Sequence, residues 1–484
     1  MRCSLNLKFQ TLLPGECYMC GVFGIASAPI EHRERSVLSK IFLGLLNLEH
    51  RGGQGCGIAT SDGSKLRSHR AEGRLEEVFS EKSFRKLSRM LLGSYGIGHT
   101  LYSTVGCTGE KRQSKTFQPL VGKFHGRTFA LVHNGNLIHL PKLRTQAKKD
   151  GYRFRSQHSD TEVIVALLET SRREDFLEAL QEVLPVLQGA FSLIFLYENK
   201  VIGVRDRFGI RPLCVGRSER DHMLASESCA FYRLEASLIR DVQPGEIIVL
   251  GAKGIERSTI WAHDATIRRC VLELVYFSRP DSQSSEGDVY SYRDAAGKIL
   301  AREHPAEHAD IVVPVPESGR IYGGVFAAEQ ELPTKEGLCK NRNNVKRTFL
   351  ASRHANRGEM QKHKLHPLPI VVRGKNTCFV DDSLIRGSVS PEIVQMLRRA
   401  GALRVDVRIG SAPIKHRCFL GIDIPSEKEL IAAGRTVEQV RNLIGADSLG
   451  YLSLEGMIAA TGLPKENLCL GCFTGEYPVE PERQ

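Results

Sequence analysis

The chain lacks any apolar run approaching the ~20 residues of a membrane helix. Its nearest candidate, 187–196 (LQGAFSLIFL), is strand-sized. No membrane partner is expected. It also lacks a recognisable secretory signal, because residues 1–19 hold Arg2 and Lys8 but no clean apolar centre and no small-residue cleavage site. Internal repeats and low-complexity tracts are missing, which argues against solenoids and disordered scaffolds. The 13 cysteines are odd in number and scattered, so they do not read as a disulfide framework. Thiols in a reducing, cytoplasmic setting, or metal ligands, are expected instead. Acidic residues are in deficit, 55 Asp and Glu against 67 Lys and Arg, for a formal charge of +12. That excess points to anionic ligands. The cations are spread out, however, and no zinc-finger, basic-zipper or RNA-binding signature is present. Nucleic acid is therefore not the expected partner; a small phosphorylated substrate accounts for the local arginine clusters.

At 484 residues the chain is too long for one core, so at least two domains are expected. The first half is strand-rich. Segments 129–133 (FALVH), 191–197 (FSLIFLY) and 246–250 (EIIVL) read as strands, and 36–48 and 161–171 carry helical periodicity. A layered α+β domain fits this alternation. The character changes after about residue 262. Segments 310–316 (DIVVPVP) and 377–380 (TCFV) read as buried strands. The second runs into Asp381-Asp382, a loop, and a helix with Ser390 as its cap, Pro391 in its first turn and Gly401 at its end. Strand, loop, helix is the unit of an open parallel α/β sheet, which binds ligands at the carboxyl ends of its strands.

Two strings carry chemistry. Cys20 opens CGVFGIA just after a leader that reads as removable. Once freed, its α-amino group can take the proton of its own thiol, so one residue supplies nucleophile and base. The second string is VDDSLIRGSVS, 380–390. Its paired carboxylates suit ribose hydroxyls, directly or through Mg2+, and its hydroxyl-rich loop leads to a helix N-terminus that favours phosphate.

The second string resembles the phosphoribosyl pyrophosphate motif of type I phosphoribosyltransferases. Further strings extend the resemblance along the chain: EHRG (49–52), GIGH (96–99), HNGNL (133–137), SDTE (159–162), ASESCAF (225–231), VYFSRPDS (275–282), PVPES (314–318) and CFTGEYP (472–478). In this order they are similar to the glutamine phosphoribosylpyrophosphate amidotransferases. The resemblance implies a leader over 1–19, an N-terminal-nucleophile αββα sandwich (the type 2 glutamine amidotransferase domain) over 20–262, and a type I phosphoribosyltransferase parallel-sheet domain over 263–484.

In the first domain the resemblance makes Cys20 the nucleophile and Asn134 and Gly135 the oxyanion donors. Asp160 would grip the glutamine α-amino group, and Arg51 would lie in the site beside the nucleophile. One departure stands out. Leu101 replaces the arginine that pairs with the glutamine α-carboxylate, and leucine supplies neither charge nor a bidentate fork. This raises the alternative of an ammonia-dependent enzyme or a weakened regulatory paralogue.

In the second domain the resemblance makes Asp381, Asp382, Ser383, Arg386, Gly387, Ser388 and Ser390 the ribose and phosphate ligands, with Asp381 and Asp382 also holding Mg2+. Arg342, Arg347 and Lys364 belong to a loop expected to close on the substrate. Cys270, Cys418, Cys469 and Cys472 match positions that bind a [4Fe–4S] cluster in one branch of the family. The implied reaction joins glutamine-derived ammonia to phosphoribosyl pyrophosphate, giving 5-phosphoribosylamine at the start of purine synthesis. A homotetramer inhibited by purine nucleotides is the implied assembly.

Overall fold

The computed structural model describes residues 18–28, 36–103, 117–340, 365–387, 389–424 and 426–481. Arg342, Arg347, Lys364 and Ser388, and the leader before Tyr18, lie outside the described residues.

The first half is built from antiparallel strands in two layers. One layer runs, by neighbouring pairs, through Ser237–Asp241, Cys214–Arg217, Asp221–Ala225, Tyr18–Ser27, Tyr95–Ser103, Gly55–Ser61 and Leu66–Glu72. The other runs through Leu120–Phe124, Arg127–Ile138, Gln188–Tyr197, Lys200–Arg205, Glu246–Gly251 and Gly254–Ile260. Among the described residues, the register pair Tyr18 with Gly135 joins the two layers.

Strand alternation explains the packing. Val22 and Ala26 point between the sheets, where they meet Ala130, Val132, Ile194 and Leu196. Phe23 and Ile25 point outward against Ile41 and Leu45 of the Leu38–Asn47 helix. On the far side, Ile164 and Val165 of the Thr161–Glu169 helix cover Phe129, Leu131 and Phe195. Helix, sheet, sheet, helix is the expected αββα sandwich, and the strands expected at 129–133, 191–197 and 246–250 are present.

The second half holds a parallel sheet in the order Ile311–Pro314, Asn376–Asp381, Arg404–Ile409, Ser448–Tyr451. Val312, Cys378 and Val380 face Tyr292, Leu300, Tyr322 and Phe326 on the Val289–Glu303 and Arg320–Glu329 helices. Val313, Phe379, Val405 and Val407 face Ile393, Leu397, Val440 and Ile444 on the Ser390–Arg399 and Val437–Ile444 helices. Both faces are covered, which is why these strands are continuously apolar. One detail differs from expectation. Ser390 is the first residue of its helix and not the cap; Val389 takes the cap position with helical backbone angles, so the helix begins a residue early. The end of the chain returns to the junction, where Leu468–Cys469 pairs in parallel with Arg269–Cys270.

Candidate active site

Cys20 lies fully buried on the Tyr18–Ser27 strand, opposite Leu101 in register. Leu101 and Phe117 close over it as an apolar wall. The Gln188–Tyr197 strand pairs with Arg127–Ile138 and thereby fixes the HNGN residues 133–136 within that strand. Gly135 has φ +148, and a Cβ there would meet the Ala190 carbonyl oxygen at 2.0 Å, so only glycine fits. The Asn134 side chain is wholly buried, and neither its oxygen nor its nitrogen has a protein partner. A buried amide left in that state is ready for a ligand, because an unmade hydrogen bond costs about 1–3 kcal/mol. The Asp160 carboxylate accepts from the Thr161 N–H at 2.6 Å and the Leu137 N–H at 3.1 Å. It thus ties the helix start to the HNGN strand. Burial drives His133 of the same strand toward its neutral form and pushes His99 on the neighbouring layer down to about 3.

Arg51 packs beside the nucleophile, and its Nε donates to the Cys20 carbonyl at 3.1 Å. Its remaining donors face away from the pocket. One terminal nitrogen donates to Glu227 and, at 2.9 Å, to Glu273; the other donates to Glu273 at 2.7 Å. The guanidinium is 2 % exposed. Arg51 therefore holds the nucleophile's backbone, and its donors are already committed to the protein. Arg211, 0 % exposed, pairs with Glu273 at 2.7 Å. Burial alone would lower the Arg51 pKa, but Glu273 and Glu227 overcome it and raise the value. Burial alone would likewise raise Glu273, yet Arg51 and Arg211 hold it down at about 2. Glu227 also sits below its usual range, since His50 and Arg51 outweigh its burial.

The second site forms at the carboxyl end of the Asn376–Asp381 strand. Asp381 accepts from the Ser318 hydroxyl and the Asp382 N–H, each at 2.9 Å. Asp382 accepts from the Ser383 hydroxyl. Burial, then the neighbouring Asp382 charge, pushes Asp381 well above the usual carboxylate range; burial also raises Asp382. Two buried carboxylates with no ion pair among the described residues suit a hydroxyl-rich sugar, or a magnesium ion completed by substrate oxygens. The Arg386 Nε donates to Glu429 at 2.8 Å and a terminal nitrogen donates to the Asp423 carbonyl at 3.2 Å. These two carboxylate-bearing residues hold its guanidinium against the 423–429 segment. Gly387 packs against Ile431, and Ser390 is buried at the helix start.

Cys270, Cys418, Cys469 and Cys472 share one buried cluster at the junction. Cys270 and Cys469 are register partners. Burial raises all four thiol pKa values, that of Cys270 to about 11; for Cys469 and Cys472 the nearby sulfurs push further up. Among the described residues, no three His, Cys, Asp or Glu side chains surround a point suited to a single metal ion.

A family model described as a glutamine amidotransferase domain matches residues 110–233. The amidophosphoribosyltransferase of Methanocaldococcus jannaschii is 40 % identical over 481 residues, covering 96 % of this chain and 98 % of the relative. The chain belongs to the amidophosphoribosyltransferase family. Solved structures agree. The glutamine phosphoribosylpyrophosphate amidotransferase of B. subtilis, complexed with ADP and GMP, has a TM-score of 0.84 at 35 % identity, covering 95 % of this chain and 98 % of that one. A structure described as the allosteric regulatory enzyme of purine biosynthesis has a TM-score of 0.86 at 37 % identity, covering 95 % of this chain and 96 % of that one.

For an amidophosphoribosyltransferase, several neighbours of the site escaped the sequence reading. Glu227 and Glu273 are the buried counterions of Arg51, yet single acidic residues in a sequence read as surface. Glu227 does lie inside ASESCAF, so that string carried a signal. Phe117, against Cys20, sits in a stretch without a motif. No membrane-length apolar helix occurs among the described residues.

Proposed function

We propose that this amidophosphoribosyltransferase converts glutamine and 5-phosphoribosyl 1-pyrophosphate to 5-phosphoribosylamine, glutamate and pyrophosphate, the first step of purine synthesis. The observation that carries this reading is the unpartnered, buried Asn134 amide beside a glycine of forced geometry, on the strand that meets the nucleophile strand at Tyr18. Ammonia-only or merely regulatory action, raised by Leu101, is not favoured by relatives that match end to end.

In the first half-reaction the Cys20 thiolate adds to the glutamine side-chain amide. The carbonyl electrons move to oxygen, and the Asn134 amide and the Gly135 N–H would donate hydrogen bonds to that oxyanion. Such donors are each worth about 3–4 kcal/mol at the transition state. The C–N bond breaks, the nitrogen leaves as ammonia after taking a proton, and water hydrolyses the thioester to glutamate. The Cys20 amine would manage these protons, which requires the leader to be cut before it. The structure supports this reading: while attached, Tyr18 pairs with Gly135, against the oxyanion site. Asp160 would take the substrate ammonium. Arg51 acts by positioning the Cys20 backbone.

In the second half-reaction ammonia displaces pyrophosphate at the anomeric carbon, and a proton is lost from nitrogen. Asp381 and Asp382 would orient the ribose, with Ser383, Gly387, Ser388 and Ser390 lining the phosphate loop and Arg342, Arg347 and Lys364 closing over it. Mg2+ bound at Asp381 and Asp382 would neutralise the leaving pyrophosphate. Cys270, Cys418, Cys469 and Cys472 would supply the four thiolates a [4Fe–4S] cluster requires, and its role would be to tie 270, 418 and 469–472 together. A domain boundary near 262, a homotetramer, purine nucleotide inhibition and a cytoplasmic setting complete the reading. The test is stoichiometry: purified protein should form glutamate and pyrophosphate one to one, and its intact mass should begin at Cys20. Pyrophosphate release without glutamate would contradict it.

A further inference from the structure

The floor of the oxyanion site comes from the other half of the chain. Gly421 has φ +101, and a Cβ on it would meet the Gly135 carbonyl carbon and Cα at 3.1 Å and the Asn136 nitrogen at 3.4 Å. Two residues earlier, the Phe419 carbonyl accepts from the Asn136 side-chain amide at 2.8 Å. The Phe419–Gly421 turn is itself held on every side. The Arg417 guanidinium lies 4.2 Å from the Phe419 ring centre, and the Tyr477 ring meets that ring edge-on at 5.1 Å. The Cys418 N–H donates to the Ile424 carbonyl at 2.9 Å, and the Leu420 N–H to the Cys418 sulfur at 3.3 Å. Beyond it, Arg386 grips Asp423 and Glu429, and the Ile431 N–H donates to the Ile385 carbonyl at 2.9 Å. A continuous strap thus runs from the phosphate loop to the HNGN strand.

We propose that the Phe419–Gly421 turn is a positioning element of the glutaminase site, with Gly421 setting where the Gly135 N–H points. The physical basis is the precision an oxyanion donor needs. The oxygen and its donors must stand 2.7–3.1 Å apart in the transition state. In the first half, Gly135 is fixed on one side by Ala190 and has no packing of its own side chain to hold the other. The strap supplies that other side, and only a residue without a Cβ can approach the Gly135 backbone so closely. The segment touches Gly135 and Asn136, and its effect on the nucleophile's reaction passes through those two residues. This inference rests on the proposed glutaminase chemistry.

The experiment compares Gly421→Ala with the parent, using full-length protein and either glutamine or ammonium chloride as nitrogen donor. The alanine has no free rotor to swing away and meets backbone at 3.1 Å. The expected result is a loss of about 10- to 100-fold in kcat with glutamine, part of what removing a donor outright costs. KM for glutamine and the ammonium-dependent rate should stay at the parent's values. Unchanged kcat with glutamine overturns the proposal. If Gly421→Ala loses its far-ultraviolet circular dichroism, Asn136→Asp decides: its carboxylate cannot donate to the Phe419 carbonyl, and it should show the same kcat-specific loss. Equal loss with both donors in a folded variant also overturns the proposal, because it assigns the strap to the phosphoribosyl site. A parent inactive with both donors would contradict the proposed function itself.

Discussion

Glu273→Gln should be among the most disruptive isosteric changes in this molecule. Glu273 comes from the second half of the chain, yet it neutralises Arg51 and Arg211 of the first. The four charges Arg51, Arg211, Glu227 and Glu273 are all buried, and their signs cancel. The amide keeps the shape but leaves one net positive charge in a buried site. Removing one partner of a buried pair typically costs about 3–5 kcal/mol. The lowered pKa of Glu273 gives a similar size: held at about 2 against an ordinary 4.5, it contributes about 3 kcal/mol at neutral pH. Its sign is fixed by linkage. The folded pKa lies below the unfolded one, so this stability is present above pH 4.5 and is lost as pH falls toward 2. Trp261, the single tryptophan, stacks on Phe191 in the first half and reports the transition. Urea denaturation followed by its fluorescence should show the variant destabilised by about 3–5 kcal/mol at pH 7, with the gap from the parent narrowing in acid. Adding Arg211→Met restores neutrality and should recover part of the loss. A Glu273→Gln cost under about 1 kcal/mol, the range of a surface pair, would refute the argument.

Asn134→Ala should lower kcat with glutamine by about 100- to 1000-fold, measured as glutamate release, because it removes an oxyanion donor. Asp381→Asn should raise the thermal midpoint while abolishing phosphoribosyl transfer. Its carboxyl is raised by burial, so the folded state favours the neutral form and the ionised group opposes folding at pH 7. Calorimetry beside a pyrophosphate assay checks both halves of that expectation. Protein purified without oxygen should carry iron and inorganic sulfide with visible absorption, and Cys469→Ser should lose both; a colourless, iron-free parent would count against the cluster.

The sequence made the two layers of the fold legible wherever periodicity was strong. The apolar runs 129–133, 191–197 and 246–250 are strand-length, and the apolar face of 390–400 is a helical one. The Asp381-Asp382 pair stood out because adjacent carboxylates at a strand end are hard to place otherwise. The charge cluster was not legible. Arg51, Arg211, Glu227 and Glu273 are far apart in the chain, and nothing local says that they are buried together. Arg386 reads as a phosphate-loop ligand, and nothing local in the sequence shows that it also pairs with Glu429, 43 residues on. The strap from Phe419 to Gly421 was invisible for a similar reason: its significance lies in one backbone touching another, and a sequence records side chains.

The most direct test of the account replaces the nucleophile. Cys20→Ala should release no pyrophosphate from phosphoribosyl pyrophosphate with glutamine, while ammonium chloride still drives release in the second half. Glutamine-dependent release surviving in that variant would contradict the assignment of Cys20.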